Sequence, residues 1–422
     1  MTVSQRVKGD SPFTRWTVAL GCLVSTTVEG GIWYSLGIFF NPLAETFDWS
    51  RAETSATNTS FMLSFAIAGF VLSRFADRYG PRVTMVGAAV LSGAGLALSG
   101  AVTELYQLIL AYILLGIGLG PTFVVPTATI QRWFVKRRGA MLGMVISGVG
   151  LGAFIYAPIV NLFISLYGWR LAFVIVAVIS GMGLLVAAVT ISHGPEKKGL
   201  KPYGWEECDV TAANQLARPY REFAFQEALS TGVFWWLLLA IVMGQMPLLF
   251  LSVHIVPYAT DQGVSRAATA GAVGLLGILS VAGRLTMGVA ADRLGWKRSF
   301  ILANYASAVA VMALLAIRTP ATLYLTVGAY GFFYGTRMPP LAGLAGYFFG
   351  TRSLGSLLGL LIGVGNFMGA FAPLIAGLLF DRLGSYQTII ILSALSFTAG
   401  GFILHFIHPP RQPRGATGIP NP

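Results

Sequence analysis

Residues 73–82 read S-R-F-A-D-R-Y-G-P-R, and residues 288–297 read G-V-A-A-D-R-L-G-W-K. Each is the polar end of a long apolar run, and Asp77 and Asp292 stand 215 residues apart. The same offset relates G-I-G-L-G at 116–120 to G-F-F-Y-G at 331–335, and Pro158 to Pro373. Three landmarks at one spacing point to a duplicated chain whose halves share one design.

Composition gives the class of that design. The 422 residues are 55% hydrophobic and 10% charged, with a mean hydropathy of +0.72; soluble domains carry roughly 25% charged residues. Apolar runs recur at about the 20 residues needed to cross a bilayer core of roughly 30 Å. The pattern predicts twelve membrane spans, at 15–40, 52–74, 83–102, 105–130, 139–163, 170–191, 230–259, 268–290, 299–317, 320–345, 354–378 and 385–407. An all-α membrane protein of two six-helix bundles is expected: a tail at 1–14, a bundle at 15–191, a linker at 192–229 with room for a short surface helix near 219–229, a bundle at 230–407 and a Pro/Gly-rich tail at 408–422. Residues 1–14 are polar and the first span is too long for a signal h-region, so no cleavable signal is expected. Cys22 and Cys208 fall in different environments and are not expected to pair.

The formal net charge of +12 follows topology rather than nucleic-acid binding. With the N-terminus inside, 21 of the 28 Lys and Arg lie on the cytoplasmic side; the outer loops hold Arg51, Arg170, Arg266, Arg318 and Arg382. That bias orients both termini to the cytoplasm of a plasma (inner) membrane, with anionic lipid headgroups as partners of the basic loops.

The D-R-x-G-x-[RK] loops resemble the signature of the major facilitator superfamily, and the duplicated pattern covers nearly the whole chain. The resemblance implies alternating access between two bundles, with Asp77, Arg78, Asp292 and Arg293 acting as a conformational latch. An Asp at a helix end can cap a neighbouring helix while the adjacent Arg pairs across the bundle. A narrower resemblance is to the monocarboxylate porters, carried by R-W-F-V-K-R-R-G-A-M-L-G at 132–143 and by G-R-L-T-M-G at 283–288. It implies that Arg284 binds a substrate carboxylate. The chain departs from that group with T-R-W-T at 14–17, with Ser280 in place of an aspartate, and with Ser35 near where some members carry a lysine. Oxalate–formate exchangers resemble the chain around span 8 but add a lysine in span 11, which G-V-G-N-F-M-G-A lacks.

Three formal charges lie well inside the spans: Glu29, Arg284 and Arg337. A charge at the bilayer centre costs roughly 2.5–3.5 kcal/mol on insertion scales, so each needs a partner or a wet cavity. Both arginines lie about five residues to the cytoplasmic side of their span midpoints, about 7 Å at 1.5 Å per residue, and so are expected to face one chamber. A static Glu29–arginine pair is the alternative. Guanidinium stays charged and offers a two-pronged donor matched to carboxylate; a dicarboxylate could use both arginines.

Coupling to protons needs a group that titrates. Glu29 and His254 are the candidates, although a lone histidine on an apolar helix also serves as a hydrogen-bonded packing residue. Ser280, one turn from Arg284, Tyr334, three residues before Arg337 and on its face, and His254 are candidate hydrogen-bonding contacts to substrate, beside Arg284 and Arg337. No Walker sequence, metal-site cluster or catalytic constellation is present, so neither ATP-driven transport nor an enzyme is expected, and no cofactor beyond the coupling proton. Short loops weigh against a non-transporting sensor. The expected function is proton-coupled symport of a small monocarboxylate of the lactate or pyruvate class by a monomer; the alternative is an exchanger of the oxalate–formate type.

Overall fold

The computed structural model describes residues 12–49, 51–196, 199–205 and 222–410. Residues 1–11 and 411–422 of the expected tails, the middle of the linker and Cys208 lie outside the described residues. The first half comprises α1 (Pro12–Phe47), α2 (Arg51–Tyr79), α3 (Pro81–Ser99), α4 (Leu105–Leu119), α5 (Pro121–Trp133) and α6 (Arg138–Thr190). A short α7 (Phe225–Leu229) precedes the second half: α8 (Gly232–Asp261), α9 (Arg266–Leu294), α10 (Trp296–Ala313), α11 (Pro320–Thr336), α12 (Met338–Phe349), α13 (Leu354–Gly369), α14 (Ala372–Leu383) and α15 (Gln387–Phe406).

Helix boundaries follow local chemistry. Thr231 and Ser265 cap α8 and α9 by accepting from the Phe234 and Ala268 amides, which satisfies donors that have no partner in the first turn. The expected spans 4, 10 and 11 are each divided between two helices, with a proline in the first turn of α5, α12 and α14. Proline has no N–H to donate and its ring crowds the preceding turn. Conversely, α6 runs through the expected spans 5 and 6, interrupted by Gly168 at φ 77°. Among the described residues eight helical segments are long and apolar enough to cross a membrane. Their outer faces carry exposed apolar side chains such as Val189 and Val309, both 70% exposed. That surface suits a lipid environment, in which only closed backbone hydrogen bonding is tolerated.

The repeat has a backbone basis. Gly80 and Gly295, the glycines of the two D-R-x-G loops, have φ of 102° and 84°, a region that side-chain-bearing residues avoid. The two described ends of the linker are docked on equivalent positions. The Tyr203 amide donates to the Trp133 carbonyl at 2.8 Å, beside Phe134; the Phe223 amide donates to the carbonyl of Phe349, 215 residues beyond Phe134, at 3.0 Å.

The halves meet on the side of these loops, α6 against α9 and α2 against α13. Gly139 and Gly288 let the backbones of α6 and α9 touch: a Cβ on either would overlap the carbonyl oxygen of the other. The contact is closed by two reciprocal caps. Asp292 accepts from the Gly139 and Ala140 amides at the start of α6, at 2.6 and 3.0 Å. Asp77 accepts from the Ser356 amide and hydroxyl at the start of α13, at 2.7 and 2.8 Å. Each aspartate thus caps a helix of the opposite half, where the helix dipole favours a negative charge. The arginine partner differs from expectation. Arg132 of α5 pairs with Asp77 at 2.7 Å and donates to the Thr351 carbonyl, whereas Arg78 is exposed over the ring of its neighbour Tyr79 and Arg293 is exposed. The caps need to cross between halves, which the aspartates at the helix ends can do and the outward-pointing arginines beside them cannot. Asp292→Ala removes two charge-assisted hydrogen bonds, and a lost cap costs about 0.5–2 kcal/mol. The population with the loop side closed should fall about tenfold relative to the open one, read as a longer distance between spin labels on the loop sides of the two halves.

Candidate substrate site

Away from the loops the halves part around a cavity of about 240 Å³. Glu29, Trp33 and Tyr34 of α1, Gln245 of α8, Arg284 of α9 and Tyr334 of α11 line it. Glu29 and Arg284 are 6% and 3% exposed at its floor, while Tyr34 is 49% and Met62 37% exposed. Both charged groups are thus buried, and the more exposed wall residues Tyr34 and Met62 lie further from the D-R-x-G loops along α1 and α2.

Arg284 answers the problem posed by a guanidinium in an apolar span. Its Nη1 donates to the Ser280 hydroxyl one turn earlier at 3.3 Å, and that hydroxyl donates in turn to the Gly277 carbonyl at 2.7 Å. The guanidinium lies 5.6 Å from the centre of the Tyr334 ring, which attracts a cation through its face. Its Nε is buried without a hydrogen-bond partner. Ser280 orients the arginine and Tyr334 flanks it, so the fork keeps unspent donors beside a cavity that can hold their acceptor. Leaving such a donor unmet in the interior is costly, and the cost is relieved when an anion binds.

Glu29 is the nearby counter-charge. Arg284 acts on it electrostatically, yet Glu29 Oε2 has no hydrogen-bond partner, so the two groups are neighbours across the cavity rather than a satisfied pair. Tyr34 lies within electrostatic reach of Tyr334, Arg284 and Glu29. The arrangement can hold one small anion between a fixed cation and a carboxyl group able to take up a proton.

Two candidates are directed elsewhere. Arg337 was expected to face the same chamber, but its Nη1 donates to the Gly244 carbonyl at 2.8 Å and its guanidinium lies 4.9 Å from the Phe397 ring centre. It sits at the junction of α11 and α12 with helical backbone angles, within electrostatic reach of Tyr334, but it does not belong to the cavity wall. Arg337→Gln should lower the yield of folded protein by removing a buried bond between helices, while substrate affinity changes by less than about twofold, read by comparing yield with the Kd of the purified variant. His254 is stacked on Phe250 at 5.3 Å, and its Nδ1 is 3.1 Å from the Tyr386 hydroxyl. Neither ring belongs to the cavity wall. These contacts match the packing alternative for a histidine on an apolar helix.

Sequence reasoning missed Trp33, Tyr34, Gln245 and Asn366, all on the cavity wall. A signal existed for three of them. Trp33 follows Glu29 by four residues and shares its helix face, and Gln245 and Asn366 are polar side chains within apolar runs, where polar groups seek partners across helices.

The model of the Major Facilitator Superfamily matches residues 22–328 and again 273–421. The chain is 26% identical over 415 residues to monocarboxylate transporter 12 of Rattus norvegicus, covering 93% of this chain and 85% of that protein. It is 28% identical over 404 residues to monocarboxylate transporter 12 of Xenopus laevis, covering 90% and 86%. Among solved structures it is similar to the proton:xylose symporter XylE bound to 6-bromo-6-deoxy-D-glucose, with a TM-score of 0.74, 13% identity and coverage of 94% of this chain and 96% of that one; at that identity the likeness speaks for the fold. Two docked helical halves around one cavity, the paired D-R-x-G loops and the match along the chain lead to one conclusion: it belongs to the major facilitator superfamily, as a multi-pass membrane transporter of a small molecule, homologous to the monocarboxylate transporters.

Proposed function

We propose that the chain carries a small monocarboxylate, of the lactate or pyruvate class, together with one proton. The observation that carries this reading is the pairing of an under-bonded Arg284 with an under-bonded Glu29 on the wall of one cavity. Charge supplies the coupling. Ionised Glu29 and Arg284 sum to zero in the empty cavity; adding a carboxylate alone leaves −1 in a poorly solvated site. Only a proton on Glu29 together with the carboxylate on Arg284 returns the loaded cavity to neutrality, so the two ligands favour each other's binding. The cavity volume of about 240 Å³ lies below the roughly 300–1,000 Å³ of pockets for drug-sized ligands, which suits an acid of a few carbons. The names of the relatives point the same way.

With Asp77, Asp292 and Arg132 closing the loop side, the arrangement described is the one loaded from outside, if the basic loops face the cytoplasm as the positive-inside rule indicates. The protein works as a monomer in the plasma (inner) membrane, both termini cytoplasmic, by exchanging this closure for one on the opposite side. Exchange of the oxalate–formate type is less favoured, because Arg284 is the one fixed cation among the described residues that line the cavity and a dicarboxylate would find no second guanidinium there. The test is lactate added outside proteoliposomes that enclose a pH-sensitive dye. The interior should acidify by about one proton per lactate taken up, with no dependence on membrane potential; uptake that leaves internal pH unchanged would overturn the reading.

A further inference from the structure

The C-terminal half contributes a second polar feature to the cavity that carboxylate binding does not use. Gln245 of α8 and Asn366 of α13 both line it, and Gln245 Nε2 donates to Asn366 Oδ1 at 2.7 Å. Gln245 is 6% exposed, and its Oε1 is buried without a partner. A side-chain amide offers both an NH2 group and a carbonyl oxygen, so two amides joined by one hydrogen bond leave an NH2 group and a carbonyl unspent between them. An unspent carbonyl in a membrane interior is unfavourable unless a donor arrives. The group that satisfies both leftovers is one that donates and accepts at a single atom, which is a hydroxyl.

We propose that the Gln245–Asn366 amide pair is the subsite that reads the substituent next to the carboxylate, and that it selects 2-hydroxy monocarboxylic acids. This rests on the reading of Arg284 as the carboxylate site. With the carboxylate on Arg284, a 2-hydroxyl accepts from the Asn366 amide and donates to the Gln245 carbonyl oxygen. A 2-oxo group accepts the first bond and leaves the second unmet. An unsubstituted methylene makes neither bond and leaves both amides unsatisfied. The preference is therefore 2-hydroxy over 2-oxo over unsubstituted acids of the same length, by roughly tenfold between the extremes for the one or two neutral hydrogen bonds at stake.

The test is initial uptake of labelled lactate, pyruvate and propionate into proteoliposomes, by the wild type and by Asn366→Leu. The wild type should rank lactate above pyruvate above propionate, with lactate about tenfold over propionate. Asn366→Leu should bring that ratio close to one, and size-exclusion chromatography reports that the variant is folded. Should Asn366→Leu not fold, Gln245→Met, of similar length, should compress the same ratio. Equal uptake of the three acids by the wild type, or a ratio unchanged in the variants, would overturn the subsite while leaving the carboxylate site standing. No uptake of any of the three by the wild type would overturn both.

Discussion

Arg284→Gln should abolish substrate binding without loss of the folded protein. The guanidinium supplies the fixed charge and the two-pronged donor, and each hydrogen bond to a charged group is worth about 1.5–3 kcal/mol. Losing two of them lowers affinity by at least about a hundredfold at 1.4 kcal/mol per decade. Arg284→Lys retains a charge but not the planar fork, so it should retain a tenth or less of the wild-type affinity. Ser280 and Tyr334 hold the arginine on one side only, which is why its removal opens a small polar gap instead of breaking a helix contact. Calorimetry with lactate on purified protein reads the affinities, and size-exclusion chromatography reads the fold. Normal affinity in Arg284→Gln would mean that the carboxylate binds elsewhere.

Glu29→Gln should separate coupling from binding. Glutamine imitates the protonated acid at every pH, so the cavity retains the positive charge of Arg284 and accepts the anion without a proton. Wild-type lactate binding should weaken as pH rises, because each anion bound requires a proton on Glu29; binding to the variant should be flat over the same range. Accumulation driven by an inward proton gradient should vanish in the variant, while exchange of internal for external lactate continues. A variant that still concentrates lactate with the gradient would assign Glu29 a structural role and move the proton site elsewhere.

The reach of the sequence differs between these features for physical reasons. Duplication was legible because equal spacing survives substitution: Asp77 and Asp292, and the positive-φ glycines Gly80 and Gly295, keep their offset. What Asp77 and Asp292 touch was not, since Ser356 and Gly139 are brought to them by the docking of opposite halves, which no local pattern records. Arg284 and Glu29 were legible as charges in apolar runs. Arg337 carried the same signal and turned out to bind the Gly244 carbonyl, because depth along a span says nothing of direction around it. Gln245 and Asn366 carry no charge, so neither drew notice among apolar neighbours, and their pairing joins α8 to α13 across 121 residues.

Uptake of labelled lactate into proteoliposomes, with and without an inward proton gradient and in the absence of internal anion, bears most directly on the coupling of Glu29 to Arg284. Uptake that rises with the gradient and overshoots equilibrium is what a shared, neutral, proton-and-carboxylate cavity predicts. Uptake indifferent to the gradient, and seen only against preloaded oxalate or formate, would contradict it.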